Sequence, residues 1–231
     1  MAAASPGWTN YARLGIASIE LLPEMMRELL AHLEPSNSIE ARCRNTDLFD
    51  RGWKTNVLNI LNSQEKNKVI NAHTKGYSCF DITLLYKLLR NLNLIQPPTN
   101  GWDYPNDPRP AEITAGDDIE RIRRMRNHLS HKGDPNISEQ ETADYFSMIK
   151  DIAERLEKLL NKTNKEFVSK VLNLQTCCFD EATATKYRDE LRKQAQKDME
   201  IEKRVTQLEG MYIIRQKNFQ TRCCDWLILY Y

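Results

Sequence analysis

Residues 116–131 read GDDIERIRRMRNHLSH, and this stretch predicts the helix around which the rest of the chain is organised. Asp117 and Asp118 place negative charge in its first turn, while Gly133 and Pro135 end it. Its apolar residues recur at three- or four-residue spacing, and they are Ile119, Ile122, Met125 and Leu129. A helix with such a stripe must pack against other elements, so it belongs to the core of a helical domain.

Arg126 occupies an unusual position on this helix. At about 100° per residue it falls inside the apolar stripe, between Ile122 and Leu129. Arginine cannot lose its proton there, so its charge needs a carboxylate, a row of backbone carbonyls or a groove that admits an anionic ligand. The first two partners would make Arg126 structural and the third would make it functional. The sequence leaves both roles open.

Two further polar residues lie on a neighbouring face. Asn127 and His131 are four residues apart, so the amide could orient the imidazole or a shared phosphate oxygen. His131 lies in the last turn, where the helix dipole favours a protonated imidazole that could act as a general acid. In a straight helix, however, Arg126 and His131 point about 140° apart. A second copy or an unwound last turn would have to complete a site, and the alternative is a solvated basic helix end.

Basic residues are concentrated in this helix, although the whole chain carries a net charge of only +1. That balance argues against a protein that coats nucleic acid non-specifically, so any RNA contact must be local. Acidic residues four positions earlier, Asp117 and Glu120, are expected to pair with Arg121 and Arg124. The candidate RNA-binding residues of this region are Arg123, Arg124 and Lys132.

The remaining pattern predicts an all-α fold, because strand signals are nearly absent. Residues 9–33 form a long amphipathic helix that Pro23 should bend or divide. Further helices are expected around residues 57–61, before Gly76, after the N-cap Asp81, after a capping box of Ser138 with Glu141, and from residue 167. The 231 residues have room for a helical domain, 9–191, and a charged helical extension with an apolar tail, 192–231.

A long proline-rich loop interrupts the helices between Gln96 and Ile113. It holds five of the nine prolines, together with Trp102 and Tyr104. Aromatic rings beside Arg109 could stack on an unpaired base. Aromatic residues in such loops more commonly hold the loop against its own domain, and we expect this pinning role here.

The six cysteines include two adjacent pairs but no C-x-x-C spacing. This pattern favours reduced, mostly buried thiols over a disulfide framework or a zinc site, and no metal site is expected. No stretch approaches the roughly 18 apolar residues that span a bilayer, so we expect no membrane insertion and a cytoplasmic protein.

Several parts of the chain resemble one family. Arg126-Asn127 with His131, in an all-helical domain, is similar to the Arg-x(4-6)-His signature of the HEPN superfamily. Four blocks in order also resemble the animal subfamily found in the DAZ-interacting zinc-finger RNA-binding ubiquitin ligase: AHTKGY (72–77), FDITLLYK (80–87), GDDIERIR (116–123) and NISEQE (136–141). The likeness runs roughly from Thr9 to Leu191.

The resemblance implies a HEPN-like helical bundle that forms a homodimer, with two motifs facing one cleft. In active members it implies a metal-independent endoribonuclease, here acting on single-stranded RNA. His131 would be the general base or acid in attack of the 2′-hydroxyl on the adjacent phosphate. Arg126 would stabilise the charge on the phosphoryl oxygens and Asn127 would orient one of them. The product would carry a 2′,3′-cyclic phosphate, and no cofactor would take part.

Many animal HEPN domains resemble the active ones but serve as catalytically silent dimerisation or protein-interaction modules. They do so within multidomain signalling or innate-defence proteins. This role is the alternative hypothesis for the chain, with protein partners in place of an RNA substrate. The sequence lacks the cysteine and histidine pattern of a RING finger, so ubiquitin ligase activity is not expected.

Overall fold

The computed structural model describes residues 6–50, 53–132, 136–179, 182–183, 185–193 and 196. Within these ranges the regular secondary structure is helical apart from one two-stranded sheet, which confirms the all-α fold class. The helices are α1 (Pro6–Ile16), α2 (Leu22–Leu33), α3 (Ile39–Asn45), α4 (Ser63–Ile70), α5 (Ala72–Lys75), α6 (Ile82–Asn91), α7 (Ala115–His131), α8 (Glu139–Leu159) and α9 (Glu166–Thr176).

The N-terminal helix is modified rather than broken at its proline. A π-helical turn, Ala17–Leu21, joins α1 to α2, and Pro23 lies in the first turn of α2. The proline ring would clash with the carbonyl four residues earlier in a regular helix. The wider π turn changes the hydrogen-bonding register just before that point. The predicted division at Pro23 therefore takes the form of this turn.

The segment before α4 differs from the sequence prediction. A short antiparallel hairpin, β1 (Asp47–Asp50) and β2 (Trp53–Asn56), precedes a 3-10 turn at Val57–Ile60, where an α-helix was expected. The Asn56 side chain accepts the backbone N–H of Asn59 at 3.0 Å and starts that turn. A capping box of Asn62 with Glu65 then begins α4, leaving too few residues for a full helix.

The predicted stripe of α7 is buried, with its four apolar residues at most 2% exposed. A capping box of Thr114 with Asp117 begins the helix, and α7 packs against α6 and α8. The helix ends at His131; Gly133 and Pro135, the predicted stop, lie outside the described residues. Helix α8 begins as predicted, with the Ser138 side chain accepting the N–H of Glu141 at 3.1 Å.

The proline-rich loop before α7 lies against the domain. The ring of Trp102 meets that of Tyr86 edge-on at 5.5 Å, so Trp102 has the expected pinning role. Tyr104 is 40% exposed and does not share it. Asp117 holds the loop from the other side, because its carboxylate accepts hydrogen bonds from the backbone N–H and hydroxyl of Thr99 at 2.9 and 2.8 Å.

The described cysteines correct one prediction. Only Cys43 is buried, on the inner face of α3, whereas Cys79, Cys177 and Cys178 are exposed because they lie in segments that flank helices. All four are free thiols. The charged extension and apolar tail predicted for residues 192–231 lie, apart from 192, 193 and 196, outside the described residues. Among the helices that the structure describes, none is long and apolar enough to cross a membrane.

Candidate functional site

Helix α7 is positioned by carboxylates that are almost completely buried: Asp117, Asp118 and Glu120. Asp118 accepts hydrogen bonds from Nε and Nη2 of Arg155 on α8, both at 2.7 Å. It also accepts one from Arg121 Nη1 at 3.0 Å, so the predicted pairing of Arg121 with Asp117 is wrong. Glu120 accepts the hydroxyl of Tyr86, on α6, at 2.6 Å. Charge-assisted bonds therefore tie α7 to both neighbouring helices.

Arg126 lies within the apolar stripe, as its spacing predicts, and is 7% exposed. Its Nη2 donates to the hydroxyl of Thr83 in the first turn of α6. Its charge also acts on Asp81, the N-cap of α6. Burial opposes ionisation of Asp81, but hydrogen bonds from Lys68 and the Leu84 N–H, together with the charges of Lys68 and Arg126, keep its pKa below the ordinary value. Arg126 is thus turned towards α6.

Arg126 also lines a cavity of about 340 Å³, which we call the Arg126 cavity. The other charged residues that line it are Arg27, Glu65, Lys68, Asp81 and Glu190. Lys68 Nζ lies 2.7 Å from Asp81 Oδ2, and Arg27 Nη1 donates to the carbonyl of Phe80 at 3.1 Å. Cations from α2, α4 and α7 therefore meet beside the first turn of α6.

Asn127 faces a different cavity, which we call the α7–α8 groove. This groove has a volume of about 780 Å³ and is lined by α7, α8 and the proline-rich loop. His128 also lines it, with Nε2 at 3.3 Å from Glu141 Oε1 and its ring centroid 6.0 Å from that of Tyr145. The groove thus offers an amide, an imidazole and an aromatic ring.

His131 is the last residue of α7 and is exposed. It lines neither the Arg126 cavity nor the α7–α8 groove. Within the described part of the chain, its imidazole makes no hydrogen bond or ion pair. One chain therefore does not bring Arg126, Asn127 and His131 together, in keeping with the angle of about 140° between Arg126 and His131 on a straight helix.

The three candidate RNA-binding cations all have carboxylate neighbours. The pairs are Arg123 with Glu120 (2.8 Å), Arg124 with Asp107 (3.2 Å) and Lys132 with Glu141 (2.9 Å). The cationic side chains remain 25%, 24% and 21% exposed. A phosphate at these cations would therefore compete with carboxylates that already bind them.

Sequence reasoning did not single out several residues that lie beside the motif: Arg27, Lys68, Thr83 and Tyr145. The one available signal for Thr83 was its position two residues after the predicted N-cap Asp81. Arg27 belongs to α2 and Lys68 to α4, so their approach to Arg126 depends on the packing of separate helices.

A cluster of carboxylates elsewhere has a different explanation. Glu24, Glu28 and Glu166 offer oxygen atoms within 4.8 Å of one another, the only such acidic group found among the described residues. Lys170 Nζ lies 2.7 Å from both Glu24 and Glu166, and Lys162 pairs with Glu28. Two ammonium groups thus pair with the three carboxylates and make the cluster an ion-pair network between α2 and α9.

Comparison with known proteins gives one finding. The family model of the DZIP3/hRUL138-like HEPN matches residues 42–187, which is more than half of the chain and includes Arg126, Asn127 and His131. Neither the curated proteins nor the solved structures gave a match. The resemblance inferred from the four sequence blocks is therefore confirmed, and with it the HEPN-like helical bundle. The chain belongs to the DZIP3/hRUL138-like HEPN family.

Proposed function

We propose that this HEPN-type domain binds single-stranded RNA at the C-terminal half of α7 and cleaves it without a metal ion. The proposal depends chiefly on one observation about His131. Its side chain is exposed and has no hydrogen-bond or ion-pair partner in the described part of the chain. An exposed imidazole in that state can approach a substrate and exchange a proton with it.

In this proposal the motif residues have separate tasks. His131 removes the proton of the RNA 2′-hydroxyl, or donates one to the leaving 5′-oxygen. Arg126 stabilises the negative charge on the phosphoryl oxygens, and Asn127 orients one of them. The reaction leaves a 2′,3′-cyclic phosphate, and no cofactor takes part.

A homodimer is part of the proposal. Arg126 lines its own cavity while His131 points into solvent, so the two groups need a second copy or a rearranged helix end to act on one phosphate. HEPN domains are often dimeric or RNA-interacting, and two facing motifs in one cleft would supply both groups. Arg123, Arg124 and Lys132 would hold the flanking phosphates after exchanging their carboxylate partners.

The proposed unit is the helical domain of residues 9–191, in the cytoplasm. Its C-terminal limit is supported by Leu191, which is completely buried although it lies beyond the family match. The cytoplasmic setting is supported by the free thiols among the described cysteines, three of which are exposed.

A cleavage assay with a matched histidine control tests the ribonuclease. End-labelled single-stranded RNA is incubated with the 231-residue protein in excess EDTA, beside His131→Ala and His32→Ala. We expect the His131 variant to lose about 100-fold or more of the rate, the usual contribution of a general acid or base. His32 is exposed on α2, so its variant should cleave like the wild type.

Two measurements complete the test. The fragments from the wild type should end in cyclic phosphate, and the thermal melt of the His131 variant should match that of the wild type, because an exposed last-turn side chain contributes little to stability. Equal cleavage by both histidine variants would refute the assignment of His131.

The second candidate is a catalytically silent dimerisation or protein-interaction module of a multidomain signalling or innate-defence protein. The specific observation in its favour is that Arg123, Arg124 and Lys132 are all engaged by carboxylates. RNA would have to compete with those carboxylates for the three cations. Intact RNA and no RNA binding, in a sample that sedimentation shows to be dimeric, would favour this candidate.

A further inference from the structure

A segment after α9 packs back onto the first helix. Residues 185–193, which we call the C-terminal strap, place Leu191 in a completely buried position. A Cβ atom added to Gly15 would lie 3.3 Å from both Leu191 Cδ1 and Tyr187 Cβ. The close approach of the strap to α1 therefore depends on the absence of a side chain at Gly15.

Among the residues that the structure describes, few contacts hold the strap in place. Besides Leu191, the hydroxyl of Tyr187 donates to Glu20 Oε1 at 2.5 Å, and the guanidinium of Arg188 lies 5.2 Å from the ring centroid of Trp8. These two contacts lie at the surface. A segment anchored by one buried side chain and a few surface contacts can open at a low cost in free energy compared with the core.

The strap also supplies a carboxylate to the Arg126 cavity. Glu190 lines that cavity, and its side chain is 45% exposed, with Oε2 3.8 Å from Lys193 Nζ. Two other acids of the cavity are paired within the domain, Asp81 with Lys68 and Glu65 with Lys87, at 2.7 Å in each case. The cavity is also lined by the guanidiniums of Arg27 and Arg126, which donate to the carbonyl of Phe80 and the hydroxyl of Thr83.

We propose that the C-terminal strap is autoinhibitory: it holds the Glu190 carboxylate at the mouth of the Arg126 cavity, where the carboxylate excludes a phosphate. When the strap opens, Arg27 and Arg126 present two guanidiniums to the same volume, a combination suited to a phosphoryl group. Free phosphate and an RNA phosphodiester share this chemistry. The inference rests on the proposed function in taking RNA as the natural source of the phosphate.

A titration with inorganic phosphate tests the role of Glu190. The Nε–H resonances of Arg27 and Arg126 in the full chain report binding, and Glu190→Gln is compared with Asp189→Asn. Asp189 is the matched control because its carboxylate bonds the neighbouring Arg188 Nε at 3.1 Å and does not line the cavity. We expect Glu190→Gln to bind phosphate about threefold to fivefold more tightly, the effect of removing one partly exposed charge.

Several results would overturn the proposal. The first is an equal gain in phosphate affinity in Glu190→Gln and Asp189→Asn. The others are no gain in affinity in Glu190→Gln, or no phosphate binding by any variant. Leu191→Ser gives an independent test, because it should open the strap and accelerate hydrogen exchange of the backbone amides of residues 185–193. The same gain in phosphate affinity is expected there, and rapid exchange without a gain would also overturn the proposal.

A parallel titration with RNA distinguishes the failure of this inference from the failure of the proposed function. A single-stranded RNA oligomer replaces phosphate in the same titrations. If Glu190→Gln tightens phosphate binding while RNA binds neither the wild type nor this variant, the autoinhibitory role of the strap is supported and the proposed function is refuted. If RNA binds the wild type and Glu190→Gln equally, and Glu190→Gln shows no gain in phosphate affinity, the autoinhibitory role of the strap is refuted and the proposed function is supported.

Discussion

Replacing Asp118 by asparagine should loosen α7 from α8. The Asp118 carboxylate is 1% exposed and accepts two hydrogen bonds from Arg155 at 2.7 Å and one from Arg121 at 3.0 Å. Asparagine keeps the size of the side chain, but it removes the negative charge and turns one acceptor oxygen into an NH₂ donor that faces a guanidinium. Two arginines then lose their only buried counter-charge at this contact.

The exposure of the arginines sets the magnitude. Removing one partner of a fully buried ion pair costs about 3–5 kcal/mol, because the other charge stays buried and uncompensated. Here the Arg121 and Arg155 side chains are 10% and 30% exposed, so both guanidiniums recover some hydration. We therefore expect Asp118→Asn to lower the free energy of unfolding by about 2–3 kcal/mol, or the melting temperature by roughly 5–10 °C.

Urea unfolding followed by far-ultraviolet circular dichroism measures this effect. Asp144→Asn is the matched control, because Asp144 is an exposed carboxylate on α8 and its loss should change stability by less than about 0.5 kcal/mol. A double-mutant cycle of Asp118→Asn with Arg155→Met isolates the pair, and we expect a coupling energy of about 1–2 kcal/mol. The reasoning is refuted if the free energies of unfolding of Asp118→Asn and Asp144→Asn differ by less than about 0.5 kcal/mol, which is roughly the limit of additivity.

Three smaller predictions concern single side chains. Glu157→Leu should cost about 1–3 kcal/mol in urea unfolding, because it removes the buried oxygen that accepts the N–H groups of Phe167 and Val168 at the start of α9; an unchanged midpoint would contradict this. Tyr86→Phe should cost about 1 kcal/mol by removing the donor at 2.6 Å from Glu120, and a melt equal to the wild type would count against it. Hydrogen bonds, first that from Lys170, lower the pKa of Glu166 from 4.5 to about 2, so its contribution to stability is full above pH 4.5 and is lost as the pH falls towards 2. Glu166→Gln should flatten that part of a stability–pH profile, and an unaltered slope would show that Glu166 does not carry it.

The helices that define the domain follow from local sequence. The stripe of α7 and the N-cap Asp81 of α6 appear where their spacing and chemistry place them. Both features depend on residues within a few positions of one another, because helical periodicity and capping are properties of one or two turns. The same holds for Arg126, whose burial follows from its place in the stripe. The family, too, was recognisable from four short blocks in order.

Local spacing predicted one ion pair correctly, Glu120 with Arg124 at 3.6 Å, but it did not identify the other partners of the charged residues. Arg121 has Asp117 four residues before it, yet it pairs with Asp118, whose carboxylate also binds Arg155 from 37 residues further along the chain. The packing of α7 against α8 makes that contact available and buries it, whereas the Asp117 carboxylate accepts the hydroxyls of Thr99 and Thr114 instead.

Arg126 and His131 show the same difference between what the local sequence predicts and what the tertiary structure decides. Helical geometry placed Arg126 and His131 about 140° apart, but the tertiary structure turned Arg126 to Thr83 of α6 and left His131 in solvent. It also brought Glu190 to the Arg126 cavity from more than 60 residues along the sequence. Sequence determines which face of a helix a residue occupies because that depends on nearby residues. The group it meets depends on how whole helices pack, which involves contacts along the entire chain.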